Sequence, residues 1–115
     1  MLDTILHAIA EPHRREILRL VQDSELSAGE IAAYFTQGHD PVTRPAISQH
    51  LKVLSDAGLV TVRRHGTQRL YRVRLEGLEE LKEFLAGFWD DHLQKLKKVV
   101  EAEERYRNDN PTNRK

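Results

Sequence analysis

At Gly58 the apolar rhythm of the chain changes. Before it, Ile47, Leu51 and Leu54 recur at i, i+4 and i+7, the spacing of a helix with one inward face. After it, apolar and basic residues alternate: Val60, Val62, Leu70 and Val73 are set against Arg63, Arg69 and Arg72, the pattern of short strands. Thr43 supplies a hydroxyl cap for the helix, and Pro45 is tolerated in its first turn because the missing amide has no intrahelical partner. Ala57-Gly58 ends it, glycine being the natural residue for a left-handed end cap. Two strands of about five residues, around Leu59 to Arg64 and Arg69 to Val73, then flank the turn His65-Gly66-Thr67-Gln68. A helix that runs directly into a cationic hairpin is compatible with few architectures.

Three shorter helices precede this unit. Leu2, Ile5, Leu6 and Ile9 form an amphipathic segment that stops near Glu11-Pro12, and Pro12 opens a second helix that ends around Asp23. Ile17, Leu18, Leu20 and Val21 form the apolar stripe of that second helix, with Arg14, Arg15 and Arg19 on its solvated side. Ser27-Ala28-Gly29-Glu30 has the form of a capping box and starts a third helix, about Ser27 to Phe35, which Gly38, Asp40 and Pro41 interrupt. After Gly77 a long helical stripe returns through Leu78, Leu81, Leu85, Phe88, Leu93, Leu96, Val99 and Val100, with a bend expected at Gly87. Its length exceeds the roughly 10 to 14 residues of an average helix, so part of that stripe is expected to meet another chain. The expected organisation is one domain over residues 1–107 and a disordered tail over 108–115. The fold is mainly α with a small β-hairpin, in the order α-α-α-α-β-β-α.

Charge is unevenly distributed. The 115 residues carry 18 basic and 18 acidic groups, a formal net charge of zero. Yet residues 41–75 hold seven basic side chains (Arg44, Lys52, Arg63, Arg64, Arg69, Arg72 and Arg74) against Asp56 alone. Cationic groups gathered on one supersecondary unit are the footprint of a surface that neutralises phosphates. The chain has no cysteine, which excludes disulfides, zinc-thiolate centres and thiol catalysis. No apolar run spans a bilayer and no signal sequence is evident, so a cytoplasmic address is expected. A glycine-rich phosphate loop and a nucleophile elbow are also missing, which leaves little for an enzyme to work with.

Helices three and four with the hairpin read as a winged helix-turn-helix, whose second helix enters the DNA major groove. Glu11-Pro12-His13-Arg14-Arg15-Glu16-Ile17-Leu18, Leu26-Ser27-Ala28-Gly29-Glu30-Ile31-Ala32, Arg44-Pro45-Ala46-Ile47-Ser48-Gln49-His50-Leu51-Lys52-Val53-Leu54 and Ala57-Gly58-Leu59-Val60 together resemble the ArsR family of bacterial winged-helix transcriptional repressors. The resemblance covers roughly residues 2 to 100. It implies a homodimer built from the first and last helices that binds an inverted-repeat operator in double-stranded DNA.

On this reading Thr43, Arg44, Ser48, Gln49, His50 and Lys52 of helix four, and Arg63, Arg64, His65 and Arg69 of the wing, contact DNA. Gln suits adenine, Arg suits guanine or phosphate, and Ser and Thr serve either. His50 has an inward, buried alternative. Leu2, Ile5, Leu6, Leu81, Phe84, Leu85, Phe88, Trp89, Leu93 and Leu96 are expected at the dimer interface. Metal-sensing members place thiolates where this chain has Ser27 and Gly29, so a soft-metal sensor of that kind is excluded. Asp90-Asp91-His92 imitates half of the zinc site that other members carry on the last helix, but no histidine follows His92. No cofactor and no metal site is expected, no membrane partner either, and the residues name no effector. Two other readings remain open: a winged module that binds protein, and a sensor with a ligand between the first and last helices.

Overall fold

The computed structural model describes residues 1–37 and 42–109. Helices α1 (Leu2–Ile9) and α2 (Pro12–Leu20) lead to a two-residue strand β1 (Leu26–Ser27), then α3 (Ala28–Thr36) and α4 (Arg44–Asp56). The hairpin strands β2 (Val60–His65) and β3 (Gln68–Val73) follow, then a 3-10 turn (Leu75–Leu78) and α5 (Glu79–Asp109). The sheet has three antiparallel strands in the order β1-β3-β2. The chain divides into two compact units, one from Met1 to Leu81 and one from Lys82 onward. No helix among the described residues is long and apolar enough to cross a membrane.

The first unit is organised by caps and one small core. Ser27 Oγ accepts from the Glu30 amide at 3.1 Å while Glu30 Oε1 accepts from the Ser27 amide at 2.9 Å, the reciprocal box that starts α3. Thr43 Oγ1 accepts from the Ala46 amide at 3.3 Å and starts α4. Ile17, Val21, Ile31, Ile47, Leu51, Leu54 and Leu59 are completely or almost completely buried, drawing α2, α3, α4 and the entry to β2 onto one centre. Gly58 turns the chain out of α4 at φ 74°, and its carbonyl lies where a Cβ on Gly77 would fall, 2.0 Å away. The crossing of α4's exit with the 3-10 turn therefore needs glycine at Gly77.

Four expectations change. Strand β1 is absent from the sequence reading; it pairs Leu26 with Tyr71 and Ser27 with Leu70, and two residues are too few to show any periodicity. Arg14 is half-buried rather than on a solvated side of α2, while Arg15 and Arg19 are exposed as expected. Arg14 donates to the carbonyls of Ala8 and His7, and Arg15 to that of Ile9 at 2.7 Å, so they satisfy the open carbonyls at the end of α1. Ile5, expected at a dimer seam, is 3% exposed and belongs to the core of its own unit. The last helix reaches Asp109 without interruption at Gly87, two residues into the expected tail; residues 110–115 lie outside the described residues, as do Gly38, Asp40 and Pro41 of the interrupting loop.

The second unit is the remainder of α5. Leu85, Trp89, Leu93, Leu96 and Val100 succeed one another at helical steps and are 47 to 67% exposed, with Phe84 edge-on to Phe88 at 5.2 Å. This apolar face is uncovered in the single chain. Of the other residues expected at the seam, Leu6 is exposed while Leu2 and Leu81 are half-buried, Leu81 packing on the core of the first unit.

Candidate nucleic-acid interface

Burying Ile47, Leu51 and Leu54 fixes the rotation of α4, and the opposite face presents Thr43, Arg44, Ser48, Gln49 and Lys52 to solvent. The wing stands beside that face. Hairpin register places Val62 opposite Tyr71 and Arg64 opposite Arg69, so these four share one side of the sheet, while Arg63, Leu70, His65 and Gln68 take the other. A groove of about 360 Å³ runs between Ser27, Ala28 and Gly29 at the start of α3, Arg44 and Ser48 of α4, and Thr67, Gln68, Arg69 and Tyr71 of the wing. A second, of about 450 Å³, continues along α4 past Ser48, Lys52 and Ser55 against Val62, Arg69 and Tyr71. Ser48, Arg69 and Tyr71 line both. Thr67, Gln68 and Tyr71 were not among the expected contacts; once the turn fixes the register, strand alternation is the signal that puts Tyr71 beside Arg69.

The cations differ in what holds them. Arg63, expected to contact DNA, is 55% exposed and bidentate to Glu25, Nε to Oε2 at 2.9 Å and Nη2 to Oε1 at 3.1 Å. The hydrogen bond from Arg63 holds the Glu25 carboxyl below the usual carboxylate range, and Glu25 in turn raises the Arg63 guanidinium. Lys52 pairs with Asp56 at 3.1 Å, an exposed contact of little strength. Arg74 donates to the Gly58 carbonyl. Among the described residues, Arg44, Arg64 and Arg69 show no carboxylate partner within salt-bridge distance.

His50 takes the inward alternative. Its side chain is 17% exposed and turns from the DNA-facing side of α4 toward α2, where it stacks on His13 with ring centroids 5.8 Å apart. Arg14 Nη1 approaches His50 Nδ1 at 3.4 Å, and His50 Nε2 lies 3.9 Å from Glu11 Oε2. Burial pushes the His50 imidazole below its ordinary value, helped by the charges of Arg14 and His13 and opposed by Glu11. Burial raises the Glu11 carboxyl, but hydrogen bonds from His13 and the Arg14 amide, with the charges of both histidines, leave it lowered.

The two positions that bear thiolates in metal-sensing members have other roles here. Ser27 caps α3, and Gly29 lies beneath Arg44, whose Nη1 would be 3.4 Å from a Cβ there.

The profile of a helix-turn-helix domain family matches residues 9–63. The HTH-type transcriptional regulator Rv2034 of Mycobacterium tuberculosis is 38% identical over 101 residues, covering 88% of this chain and 90% of that protein. An arsenical resistance operon repressor of Staphylococcus xylosus is 37% identical, covering 73% of this chain and 76% of its own length. The solution structure of a homodimeric winged helix-turn-helix DNA-binding domain, Mb0332 from Mycobacterium bovis, a possible ArsR-family transcriptional regulator, matches with a TM-score of 0.58 at 29% identity, covering 80% of this chain and 83% of that one. The chain belongs to the ArsR family of winged helix-turn-helix transcriptional regulators. ArsR-family membership makes it a regulator of transcription and not an enzyme. The helix-turn-helix match ends inside β2, so the wing tip and the last helix are characterised by the fold rather than by that profile.

Proposed function

We propose that this ArsR-family protein is a dimeric repressor that seats α4 in the major groove of an inverted-repeat operator and lays its wing along the adjoining backbone. The observation that carries the reading is the continuous concave surface shared by α4 and the wing, with Arg44 and Arg69 lining it and the opposite face of α4 buried. A helix fixed by its core face and lined outward by Arg, Ser and Gln offers both base-edge and phosphate contacts. Ser48 and Gln49 are assigned to base reading; Arg44, Arg64, His65 and Arg69 to phosphate or groove contact. Arg63 supports the wing through Glu25.

The dimer is assigned to Leu6 and to the apolar stripe of α5, and the cytoplasm is the corresponding compartment. Paired recognition helices on one side of a duplex require half-sites about 34 to 36 Å apart.

DNA bound by the purified protein should contain an imperfect palindrome, and footprinting should show two protected half-sites one turn apart. Gln49→Ala should lose about 1 to 3 kcal/mol on the operator and little on random duplex, whereas Arg64→Ala should weaken both similarly and reduce the salt slope by about one. Equal effects of the two substitutions on both DNAs would contradict this division of roles, and a footprint without dyad symmetry would contradict the dimer.

A further inference from the structure

We propose that Glu11, His13 and His50 form a three-ligand site for a divalent transition metal such as zinc, joining the start of α2 to the middle of α4. One ligand atom from each lies within 4.8 Å of the other two, and no other set of three such groups gathers so closely among the described residues. His13 Nδ1 is 2.8 Å from Glu11 Oε1, and His50 Nε2 is 3.9 Å from Glu11 Oε2. Donors around a tetrahedral zinc, at bonds of 2.0 to 2.1 Å, stand roughly 3.3 Å apart, so an ion would replace the His13–Glu11 hydrogen bond, with one carboxylate oxygen turned toward both imidazoles. The side chains are 27%, 30% and 17% exposed for His13, Glu11 and His50, enclosed enough to be held yet open enough for an ion and a water to enter.

The donor set selects the ion. Two imidazoles and one carboxylate suit zinc, cobalt(II) or nickel(II); they lack the thiolates that soft ions require and the oxygen cage that calcium and magnesium require. The carboxylate is already oriented, because Glu11 Oε2 accepts from the Arg14 amide at 3.0 Å as the cap of α2. The set includes none of Ser27, Gly29, Asp90, Asp91 and His92.

Arg14 opposes the ion. Ligation through His50 Nε2 puts the ring proton on Nδ1, so the 3.4 Å approach of Arg14 Nη1 must open. The guanidinium keeps its bonds to the Ala8 and His7 carbonyls while it does so. The site is therefore weaker than the same three ligands would be without a neighbouring cation.

The test uses the full chain, stripped with a chelator and titrated with zinc and cobalt(II). One equivalent per chain is expected, with the visible ligand-field bands of four- or five-coordinate cobalt and a zinc-dependent rise in melting temperature. His13→Gln and His50→Gln should each weaken binding by more than the roughly 10- to 100-fold that loss of an outer-shell partner costs, and His92→Gln should leave it unchanged. Circular dichroism of the metal-free variants shows whether they fold; if His50→Gln does not, the more exposed His13→Gln decides alone. Absence of stoichiometric binding would overturn the site. So would binding that survives His13→Gln or is abolished by His92→Gln.

Discussion

Adjacent on β2, Arg63 and Arg64 point to opposite sides of the sheet, and Arg63 meets a carboxylate where Arg64 does not. Strand alternation predicts the opposition but not the carboxylate, since Glu25 is 38 residues away in sequence and enters only through the tertiary fold. The consequence is testable by pH. Because the folded Glu25 carboxyl is depressed, its link to Arg63 stabilises the fold above the usual carboxylate range and is lost as pH falls through the folded value. Carboxyl-resolved NMR should show Glu25 titrating at higher pH in Arg63→Ala than in the parent; an unchanged midpoint would remove Arg63 as the cause. Glu25→Gln should also release the Arg63 fork and strengthen binding to random duplex, with a steeper salt dependence.

Among the elements, those set by local chemistry were legible in the residues. Ser27 with Glu30, Thr43 ahead of Pro45 and Gly58 after Ala57 each mark a boundary through contacts that span only a few positions. The inward stripe of α4 was legible for the same reason, and with it the outward set Arg44, Ser48 and Gln49. What could not be read depends on contacts beyond one helical turn: the two-residue strand β1, the arginines that close α1, and the stacking of His50 on His13, though the inward turn of His50 was one of its two readings. Gly77 belongs with these. Nothing near it in sequence requires glycine, yet a Cβ there would lie 2.0 Å from the Gly58 carbonyl. Gly77→Ala should destabilise the protein by about 1 to 3 kcal/mol, read as a lower urea midpoint with little change in slope. Full retention of the midpoint would mean that the two backbones can separate at little cost.

At the scale of the whole molecule, the first unit holds the core and the proposed DNA surface, and the second is a helix with an uncovered apolar side. Trp89, 67% exposed in the single chain, is the largest side chain of that stripe. If a second copy buries it, Trp89→Ala should weaken the dimer by about 3 to 5 kcal/mol, the cost of truncating a buried tryptophan. Sedimentation across a dilution series reads that loss directly, and an unchanged profile would exclude Trp89 from the seam. Strand β1 bears on how the protein meets a duplex. By pairing Ser27 and Leu26 with Leu70 and Tyr71, it anchors the base of the hairpin to the start of α3, leaving only the stretch from Arg64 to Arg69 beyond the anchored rungs. So short a lever has little reach of its own, and under the proposed seating of the wing a mismatch with the groove would fall to curvature of the nucleic acid.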